Sequence, residues 1–597
     1  MCGIFTLLNN DNGFFNNNFV KEQFEKGKRR GPENSSLVNN VKSTFGFHRL
    51  AINGLNSTSN QPITINDVLL ICNGEIYNYK ELYNLMNIEG ETQSDCEVII
   101  HLYIKYGIEQ TLQMIDGVFS FILLDNRIIN NDLSSNIFVA RDPLGVRPLY
   151  ILQPNFKKYK IDYIKSYLLG FASELKVLSD FHTKLDDEYT LNQFTPGTYS
   201  IYRLSSKALA NWEIVEENIR FFNLNFPKTF VKNNDNFGYF FETMRTIRKN
   251  LINAVSKRCL TTERPIACLL SGGLDSSLIA SIISEFYYKN NISNKLETYS
   301  IGLIGSEDLK YARIVADYIG SKHTEIIVTE KEMFEAIPEV IYAIESYDTT
   351  TVRASIGNYL IGKYISLFSD AKVIFNGDGS DEVCGGYLYM NQCPDSIEFD
   401  KETRRLLTDI HKYDVLRSDK CISSHGLEPR TPFLDKDFVN YYLSLPPIMK
   451  SNDFFKNKNI DVCEKYLLRE SFSIKNGYKL SSSNKQVLPD EILWRKKEAF
   501  SDGVTSNNRS LYQILQEYIY KELSSLQDSQ SLSSFGINLE TEKYYYKTIF
   551  EKYYPNLTSV VPYYWMPKYV DSYDPSARTL KIYNNQDIAT KNNEKSI

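Results

Sequence analysis

The chain has 597 residues, of which 42% are hydrophobic and 23% are charged, and its net charge is −6. This length is too great for one hydrophobic core, so we expect two or more domains, and the composition is that of an ordinary globular protein. The slightly negative charge excludes the broadly basic surface that binds nucleic acid or an anionic membrane.

The cysteine pattern and the apolar runs bear on the compartment. Nine cysteines are scattered without the short spacings of a metal site or a disulfide framework, which favours a reducing environment. No charged start is followed by a long apolar stretch, so we expect no signal peptide. The longest apolar runs, such as GVFSFILL at 117–124, are much shorter than a membrane span. We therefore expect a cytoplasmic protein without nucleic-acid or membrane partners.

The first part of the chain, residues 2–203, is dominated by short strands. GIFTLL, DVLLICNGEIYNY and GVFSFILLD have strand character, whereas SDCEVIIHLYIKYG has apolar residues at helical spacing. Residues 204–236 are irregular and rich in asparagine, which predicts a linker. A second domain is then expected at 237–568, and residues 569–597 are expected to form a C-terminal tail with a polar, disordered end.

The second domain alternates strands and helices. PIACLLSGGLDSSLIASIISEF at 265–286 and AKVIFNGDGSDEV at 371–383 each contain an apolar strand, a polar loop and the start of a helix. Such alternation predicts a parallel sheet with helices packed on it.

The loop SGGLDSS at 271–277 is the most specific of these signals. Gly272 and Gly273 tolerate positive φ and let the backbone approach a ligand closely. A helix is predicted to begin near Ser276, so its free N–H groups and the hydroxyls of Ser271, Ser276 and Ser277 can cradle an anion. Since the chain has no Walker A pattern, the loop suits pyrophosphate as a leaving group better than γ-phosphoryl transfer. The alternative is an ordinary turn rich in Gly and Ser.

Acidic residues follow the strand AKVIF. Asp378, Asp381 and Glu382 are predicted at the carboxyl end of a parallel strand, where open α/β sheets build their sites. Together with Asp275 they can hold Mg²⁺ bound to nucleotide phosphates. An acidic, solvated turn is the alternative.

Two basic residues are further candidates. Lys497 in WRKKEAFSDG can neutralise a phosphate or a developing oxyanion, although a lone lysine would be assigned to the surface. Arg353 in TTTVRAS can pair with a substrate carboxylate in bidentate fashion, and a structural ion pair is an equal alternative.

Cys2 directly follows the initiator methionine and is either a small buried residue or a nucleophile. Once Met1 is removed, Cys2 carries its own α-amine, with a pKa of about 7.7–8.0. Such an amine can accept the proton of the thiol, so one residue supplies both nucleophile and base.

A matching amino-acid pocket is available in the same domain. Arg49 can clamp a carboxylate, Asp95 can accept from an ammonium group, and Asn73 and Gly74 can donate to an oxyanion. Each signal is weak alone, but together with Cys2 they describe a glutamine-hydrolysing site.

The ordered motifs carry a family resemblance. MCGI, RGP, FGFHRLAI, NGEIYN, DGVFSF, ARDPLGVRPLY and FASELK resemble the class II glutamine amidotransferase domain with an N-terminal cysteine nucleophile. CLLSGGLDSS, ESYDTTTVRASIGNYL, HKYDVLRSDK, GLEPRTPFLD, KYLLRE, EILWRKKEAFSDGV and DPSARTL resemble glutamine-hydrolysing asparagine synthetases. The resemblance extends from residue 2 to about residue 580.

The resemblance implies a fold and a reaction. The fold is an α+β N-terminal-nucleophile αββα sandwich followed by an α/β parallel-sheet domain like those of the adenine-nucleotide α-hydrolases. The reaction converts L-aspartate, ATP, L-glutamine and water to L-asparagine, AMP, pyrophosphate and L-glutamate through β-aspartyl-AMP. Ammonia released at Cys2 travels to the second site through an internal tunnel, whose apolar wall disfavours ammonium. The implied partners are these small molecules and, since the family is often dimeric, a second copy of the chain.

The resemblance also implies site residues. Glutamine contacts are expected at Arg49, Leu50, Ala51, Ile52, Asn53, Asn73, Gly74, Glu75 and Asp95. ATP contacts are expected at Leu270, Ser271, Gly272, Gly273, Asp275, Ser276, Ser277, Ile301, Asn376 and Gly377. The expected catalytic residues are Cys2, Asn73, Gly74, Asp378 and Lys497, with Arg353 assigned to aspartate and Asp275 and Asp381 to Mg²⁺.

Two departures from the family pattern stand out. The family usually has Ser-Gly-Glu-Gly where this chain has Asn376-Gly377-Asp378-Gly379, so the carboxylate is withdrawn by one methylene. A displacement of about 1 Å near the reacting atoms can cost about 10²-fold in rate. The family also often has His-Arg-Gly-Pro-Asp where this chain has RRGPE, which we expect to affect local packing more than chemistry.

Two other functions stay open at this point. The same architecture can activate a different acceptor, as in the related β-lactam synthetases, which typically lose the N-terminal cysteine and replace the late lysine. Cys2 and Lys497 are both present here. A non-catalytic glutamine- or nucleotide-binding protein, disabled at Asp378, is the other alternative. The complete glutaminase set and the intact SGGLDSS loop argue against it.

Overall fold

The structure is a computed structural model of the chain. It describes residues 1–10, 14–128, 132–156, 158, 167–207, 210–224, 237–451, 463–506, 509–526, 536–581 and 583. The later part of the predicted linker and the predicted disordered end of the tail lie outside these residues.

The first structural unit contains two antiparallel sheets. Its strands are β1 (Gly3–Leu8), β2 (Asn34–Asn40), β3 (Ser43–Arg49), β4 (Ile63–Ile65), β5 (Val68–Ile76), β6 (Gly117–Asp125), β7 (Ser135–Arg141), β8 (Tyr150–Pro154), β9 (Leu169–Ala172), β10 (Tyr189–Gln193), β11 (Thr198–Leu204) and β12 (Trp212–Arg220). One sheet has the order β10-β8-β9-β1-β3-β2 and the other β12-β11-β7-β6-β5-β4.

Helices cover the outer faces of both sheets. They are α1 (Asn17–Glu25), α2 (Tyr79–Met86), α3 (Val98–Met114) and α4 (Leu175–Leu185). Apolar residues of α1 and α4 pack on the first sheet, those of α2 and α3 pack on the second, and a separate core fills the space between the sheets. The αββα sandwich expected from the sequence is confirmed.

Strand alternation decides which side chains enter the space between the sheets. Ile4 of β1 and Ile71 of β5 lie in that space, whereas Cys72 packs under the helices of the second sheet. Because successive side chains of a strand point to opposite faces, Cys2 lies on the same side as Ile4, and Asn73 on the same side as Ile71. The pattern of the two strands therefore brings Cys2 and Asn73 into one layer.

The second unit is built on a five-stranded sheet. Its strands are β13 (Ile266–Leu269), β14 (Glu297–Gly302), β15 (Lys322–Ile327), β16 (Val373–Phe375) and β17 (Glu428–Arg430), in the order β15-β14-β13-β16-β17. All neighbouring pairs are parallel, as expected from the alternation of strands and helices. Since β13 and β16 are neighbours, the loops that follow them meet at the carboxyl edge of the sheet.

Helices surround this sheet on both faces. They are α5 (Phe237–Leu260), α6 (Leu274–Lys289), α7 (Glu307–Ile319), α8 (Glu330–Glu335), α9 (Ile337–Ile344), α10 (Thr349–Phe368), α11 (Ser380–Cys384), α12 (Ser396–Asp409), α13 (Asp414–Ser423), α14 (Lys436–Ser444), α15 (Pro447–Lys450), α16 (Tyr466–Ser471), α17 (Asp490–Leu493), α18 (Phe500–Gly503), α19 (Leu511–Leu526) and α20 (Leu539–Tyr553). Cys268 of β13 packs towards α5, α6 and α7, and Ala267 packs towards α8, α9 and α10. None of the helices in the described part of the chain combines the length and apolar character that a membrane crossing requires.

The expected linker begins too early. Residues 212–220 form β12, which pairs with β11, and the Trp212 side chain is buried between the sheets. The sequence WEIVEENIR has an irregular pattern because β12 is an edge strand, and six of its nine residues are exposed. The first unit therefore extends to residue 220.

The expected tail also begins too early. Asp574 is buried and accepts two hydrogen bonds from Arg353, and Leu580 packs into a core cluster with Met390 and Trp565. Residues 569–581 are thus an integral part of the second unit. Their fixed position depends on partners more than 150 residues away in the sequence, which local composition does not reveal.

Candidate active site

Cys2 immediately precedes β1 and is partly buried. Its backbone N–H donates to Asn73 Oδ1 at 3.1 Å, and its Sγ lies 3.7 Å from the carbonyl oxygen of Leu50. Burial raises the pKa of the Cys2 thiol, while the positive charge at the start of the chain lowers it. The structure therefore brings the predicted nucleophile and the predicted oxyanion residue Asn73 together.

Arg30 fixes the backbone around Cys2. Its Nε donates to the Cys2 carbonyl oxygen at 3.0 Å, and its Nη1 donates at 2.7 Å to both Glu174 and Asp419. Asp419 belongs to α13 of the second unit, so the surroundings of the nucleophile include a residue of the other domain. Arg30 is part of the RRGPE segment, where the sequence suggested only local packing.

The predicted glutamine pocket is assembled beside Cys2. Asn53 Nδ2 donates to Glu75 Oε2 at 2.8 Å and lies 3.4 Å from Asp95 Oδ1. The backbone N–H of Ile76 donates to Asp95 Oδ2 at 2.7 Å. Gly74 lies on β5 between Asn73 and Glu75, and a Cβ at this position would approach the Val118 carbonyl oxygen to 2.6 Å. Packing alone therefore requires glycine at position 74.

The two acidic residues of this pocket are held in a poorly solvated place. Burial raises the pKa of Asp95 to about 6, against the lowering effect of the Ile76 hydrogen bond. Burial and the nearby Asp95 carboxyl raise the pKa of Glu75 well above its ordinary value, and Arg430 opposes this rise. Two such carboxyls, 2.8 and 3.4 Å from the Asn53 amide nitrogen, suit a ligand that brings a positive charge.

Arg49 has a different environment from the one expected. Its Nη1 donates to the Asn56 carbonyl oxygen at 2.8 Å and to Asn60 Oδ1 at 2.7 Å, and its Nη2 donates to the carbonyl oxygens of Asn53 and Gly54. The guanidinium thus shapes the loop that carries Asn53. Binding of a substrate carboxylate by Arg49 stays a prediction.

The second centre is a cavity of about 190 Å³ at the carboxyl edge of the parallel sheet. The SGGLDSS loop forms one wall and the NGDGSDE loop another, and Ile301 closes a third side. Gly272 has φ 71°, and a Cβ there would approach the Tyr311 backbone carbon to 2.4 Å, so this position requires glycine. Helix α6 begins at Leu274, two residues before the predicted start, and Gly273 is its N-cap.

The predicted nucleotide residues fall into two groups. Those that line the cavity are Leu270, Ser271, Gly273, Asp275, Ser276, Ile301, Asn376 and Gly377. Gly272 and Ser277 do not line it, since Gly272 packs on α7 and the Ser277 side chain points into the protein. The Ser277 hydroxyl has no hydrogen-bond partner among the described residues, and its contact with a phosphate stays a prediction.

Two carboxylates and two lysines meet in this cavity. Lys465 Nζ lies 2.6 Å from Asp275 Oδ2 and 2.5 Å from Asp381 Oδ1, and Lys497 Nζ lies 2.6 Å from Asp381 Oδ2. Asp381 is partly buried, which raises its pKa, but the two lysines outweigh this effect and lower it. Desolvation lowers the pKa of Lys497, and the carboxylates outweigh that effect and raise it. The Asp381 carboxylate and the Lys497 ammonium are therefore charged at neutral pH.

Lys465 is a site residue that sequence reasoning missed. It is 4% exposed and adopts φ 56°, a left-handed conformation that costs a non-glycine residue about 1–3 kcal/mol. Such strain is typical of functional positions. Lys465 lies in EKYLLRE, a segment that carries the family resemblance, but without the fold nothing connects it to Asp275, 190 residues earlier.

A further group of charged residues lines the same cavity. Asp378 Oδ1 is 3.5 Å from Arg417 Nη2, which donates to Asp414 Oδ1 at 2.8 Å. Asn376 Nδ2 donates to Ser418 Oγ at 2.8 Å, so the side chain that replaces the usual serine has a partner on α13. Glu382 accepts a hydrogen bond from the Tyr387 hydroxyl at 2.5 Å. Arg417 is the second residue that sequence reasoning missed.

The assignment of Arg353 to aspartate is not supported. Arg353 does not line the cavity, and its guanidinium donates to both Glu542 oxygens and both Asp574 oxygens at 2.5–2.9 Å. Since all three residues are buried, this is the structural ion pair that the sequence left open as the alternative. Neither acidic partner was identifiable from local sequence, because both come from the end of the chain.

Comparisons with known proteins agree with this geometry. A family model described as "Glutamine amidotransferase domain" matches residues 1–213, and one described as "Asparagine synthase" matches residues 246–398 and 391–570. The chain is 42% identical over 594 residues to the asparagine synthetase [glutamine-hydrolyzing] of Gallus gallus, covering 98% of this chain and 99% of the relative. It is 39% identical over 602 residues to the protein of the same description from Homo sapiens, with the same coverage of both chains. The chain belongs to the family of glutamine-hydrolysing asparagine synthetases.

Proposed function

We propose that this chain makes L-asparagine from L-aspartate, using ATP for activation and L-glutamine as the nitrogen source. AMP, pyrophosphate and L-glutamate are the other products. The observation that carries the proposal is that one chain contains both the Cys2–Asn73 centre and the cavity with Asp275, Asp381 and Lys497. Either centre alone would fit other reactions.

Glutamine is hydrolysed at Cys2 after removal of Met1. The freed α-amine takes the thiol proton, and Sγ attacks the side-chain amide carbon of glutamine. Asn73 Nδ2 and the Gly74 N–H stabilise the oxyanion, and the ammonium group of Cys2 returns a proton to the departing ammonia. Water then cleaves the thioester and releases glutamate. The hydrogen bond between Cys2 N and Asn73 Oδ1 supports this role, because it turns the amide Nδ2 away from the amine.

Glutamine is selected by the neighbouring pocket. We assign its α-ammonium group to Glu75 and Asp95, whose carboxyls converge near Asn53. The backbone of Leu50, Ala51 and Ile52 forms the adjoining wall, beside the loop that Arg49 holds. The burial of both carboxyls supports the assignment, since a bound cation would offset their desolvation.

ATP binds at the carboxyl edge of the parallel sheet. We place the pyrophosphate portion on the loop with Ser271, Gly273 and Ser276, and the nucleoside against Leu270 and Ile301. The aspartate side-chain carboxylate attacks the α-phosphorus, and pyrophosphate leaves. Lys497 and Lys465 are placed to neutralise the charge that develops on the phosphates.

Mg²⁺ fits the residues of this cavity. Asp275 and Asp381 both direct oxygens at one cationic group, the Lys465 ammonium, so the pair already surrounds a position for positive charge. Within the described residues no group of three or more acidic, His or Cys side chains forms a metal site. We propose that Asp275 and Asp381 would hold the Mg²⁺ that enters with the ATP phosphates. When bound, it would screen the phosphate charge.

Aspartate binds deeper in the cavity, next to Asp378. We propose Arg417 as the partner of its α-carboxylate, in place of Arg353, and Glu382 with Asp414 as partners of its ammonium group. Arg417 lines the cavity and lies beside both Asp378 and Asp414, which supports this placement. Ammonia then attacks the acyl carbon of the adenylate, AMP leaves, and Asp378 is placed to accept the proton that the nitrogen loses.

Ammonia crosses between the centres through apolar surroundings. The Leu50 carbonyl oxygen contacts Cys2 Sγ. Leu50 and Ile52 belong to one buried cluster with Val118 of β6 and with Leu270 and Leu274 at the phosphate loop. A continuous apolar cluster favours neutral ammonia over ammonium, so the nitrogen stays nucleophilic in transit.

We further propose a cytoplasmic location, a homodimer, and domain limits of 2–220 and 237–581.

The test is formation of asparagine and AMP from aspartate and Mg·ATP with either glutamine or ammonium. We expect both nitrogen sources to support the reaction, and we expect asparagine and AMP to form in equal amounts with each. A chain that forms AMP only with another carboxylate acceptor would indicate the β-lactam-synthetase type of activity. A chain that binds glutamine and ATP without forming AMP would be a binding protein.

A further inference from the structure

Arg430 belongs to the second unit but reaches the glutamine pocket. It is the last residue of β17, in the segment GLEPRTPFLD, and it is 1% exposed. Its Nη2 lies 3.2 Å from Glu75 Oε2 on β5 of the first unit. The backbone of the same residue contacts the other centre, since the Asn376 N–H donates to the Arg430 carbonyl oxygen at 3.1 Å.

The remaining donors of Arg430 fix the direction of its guanidinium. Nε donates to Glu428 Oε1 at 2.8 Å, and Nη2 donates to the Thr261 carbonyl oxygen at 2.9 Å. Nη1 donates to the Arg258 carbonyl oxygen and to Thr261 Oγ1. A planar group with this many partners cannot swing away, so its charge is held at a set distance from Glu75.

The Glu75 carboxylate needs such a partner. It is 4% exposed and shares the pocket with Asp95, a second carboxyl. Asp95 and Glu428 disfavour its ionised form, and Arg430 and the Met1 amine favour it. Since Met1 is removed in the proposed mechanism, Arg430 is the side-chain cation that continues to favour the ionised form. A neutral Glu75 would lose its attraction for an ammonium group.

We infer that Arg430 is a positioning residue of the glutamine pocket, through which the synthetase domain holds the Glu75 carboxylate in place for glutamine. The inference rests on the proposed binding of glutamine at Glu75 and Asp95. It also connects the two centres physically, because one residue contacts Glu75 through its side chain and Asn376 through its backbone.

The test compares Arg430→Met and Arg430→Lys with wild type. For Arg430→Met we expect the KM for glutamine to rise about 10-fold or more, while kcat with ammonium stays within about two-fold. Arg430→Lys keeps the charge and should raise the KM less. Because the loss of Arg430 would raise the pKa of Glu75 further, the KM of Arg430→Met relative to wild type should fall as the pH rises. A purely structural defect would not produce that pH dependence.

Arg258→Met is the matched control. Arg258 is a buried arginine of the same region, paired with Asp435 at 2.6 Å, and its side chain does not contact Glu75 in any hydrogen bond or ion pair of the described residues. We expect it to lower thermal stability without a selective change in the KM for glutamine. The double variant Glu75→Gln, Arg430→Met should be less impaired than the product of the single effects.

The outcomes are distinguishable. An unchanged KM for glutamine in Arg430→Met, or equal losses with glutamine and ammonium, would overturn the inference. If Arg430→Met does not fold, the same criteria apply to Arg430→Lys, whose KM must then rise selectively for glutamine. If Glu75→Gln in the native background binds glutamine normally, the proposed pocket itself is wrong.

Discussion

Asp378 Oδ1 and Arg417 Nη2 lie 3.5 Å apart, and both residues line the synthetase cavity. Charge-assisted hydrogen bonds of this type are usually about 2.7–2.9 Å long. The observed distance exceeds this length by roughly half of a carbon–carbon bond, which is about 1.5 Å long. Asp378 is shorter by one such methylene than the glutamate that is usual in this family. The contact is therefore present but stretched.

The first prediction concerns this contact. Asp378→Glu should shorten the distance to Arg417 and raise kcat with ammonium by a few-fold, up to about 10-fold, because a better-placed carboxylate serves the transition state better. Asp378→Asn should lower kcat by about 10²-fold with both nitrogen sources. Steady-state rates of asparagine formation provide the measurement. A slower Asp378→Glu enzyme would show that the cavity is adapted to the shorter side chain.

The second prediction separates the two centres. Cys2→Ala should reduce glutamine-dependent asparagine synthesis by roughly 10³-fold or more, because the nucleophile is lost, and leave ammonium-dependent synthesis unchanged. Cys259→Ala, which removes a buried thiol from the second unit, serves as the control and should retain both activities. Loss of both activities in Cys2→Ala would contradict a separate glutaminase site.

The third prediction tests the residue that the fold revealed. Lys465→Met should lower kcat by about 10²–10³-fold with either nitrogen source, since Asp275 and Asp381 lose a counter-charge that the phosphates would also use. Lys450→Met removes another buried lysine, which is paired with Asp400 at 2.9 Å. It should lower the Tm without a comparable loss of rate. Similar kinetics for the two variants would exclude a specific role for Lys465.

The fourth prediction is a pH dependence of glutamine binding. The pKa of Asp95 is raised to about 6, so the carboxyl is ionised above that pH and neutral below it. The KM for glutamine should therefore rise as pH falls below 6, by roughly 10-fold per unit well below the pKa. Asp95→Asn should have a high KM that changes little over the same range. A wild-type KM that is flat between pH 5 and pH 7 would argue against Asp95 as the ammonium partner.

The fifth prediction checks the reassignment of Arg353. Removing one partner of a buried ion pair costs about 3–5 kcal/mol, so Arg353→Met should lower the free energy of unfolding by that amount. The KM for aspartate of the fraction that folds should stay near the wild-type value. Denaturant unfolding and aspartate titration measure the two effects. A stable variant with a strongly raised KM for aspartate would return Arg353 to the substrate site.

The local sequence by itself determined which segments form strands, helices and loops. It also determined the candidate site residues that lie within or next to those segments. The strand GIFTLL after Cys2, the alternation in VLLICNGEI that carries Asn73, and the strand–loop–helix around SGGLDSS each depend on side chains within a few positions. Periodicity and turn chemistry act over that range, so these elements could be predicted, and the family motifs extended them to the whole chain.

Only the tertiary structure decided which charges face each other. Lys465 joins Asp275 and Asp381, Arg417 faces Asp378, and Arg353 is neutralised by Glu542 and Asp574. The residues next to a charged side chain in the sequence do not indicate its partner. Nothing in the residues that flank Lys465 distinguishes it from a lysine on the surface. Burial then makes an unpaired charge too costly, so the fold selects the pairs. In this protein the ion pairs of Lys465 and Arg417 line the substrate cavity, and the ion pairs of Arg353 belong to the structural core.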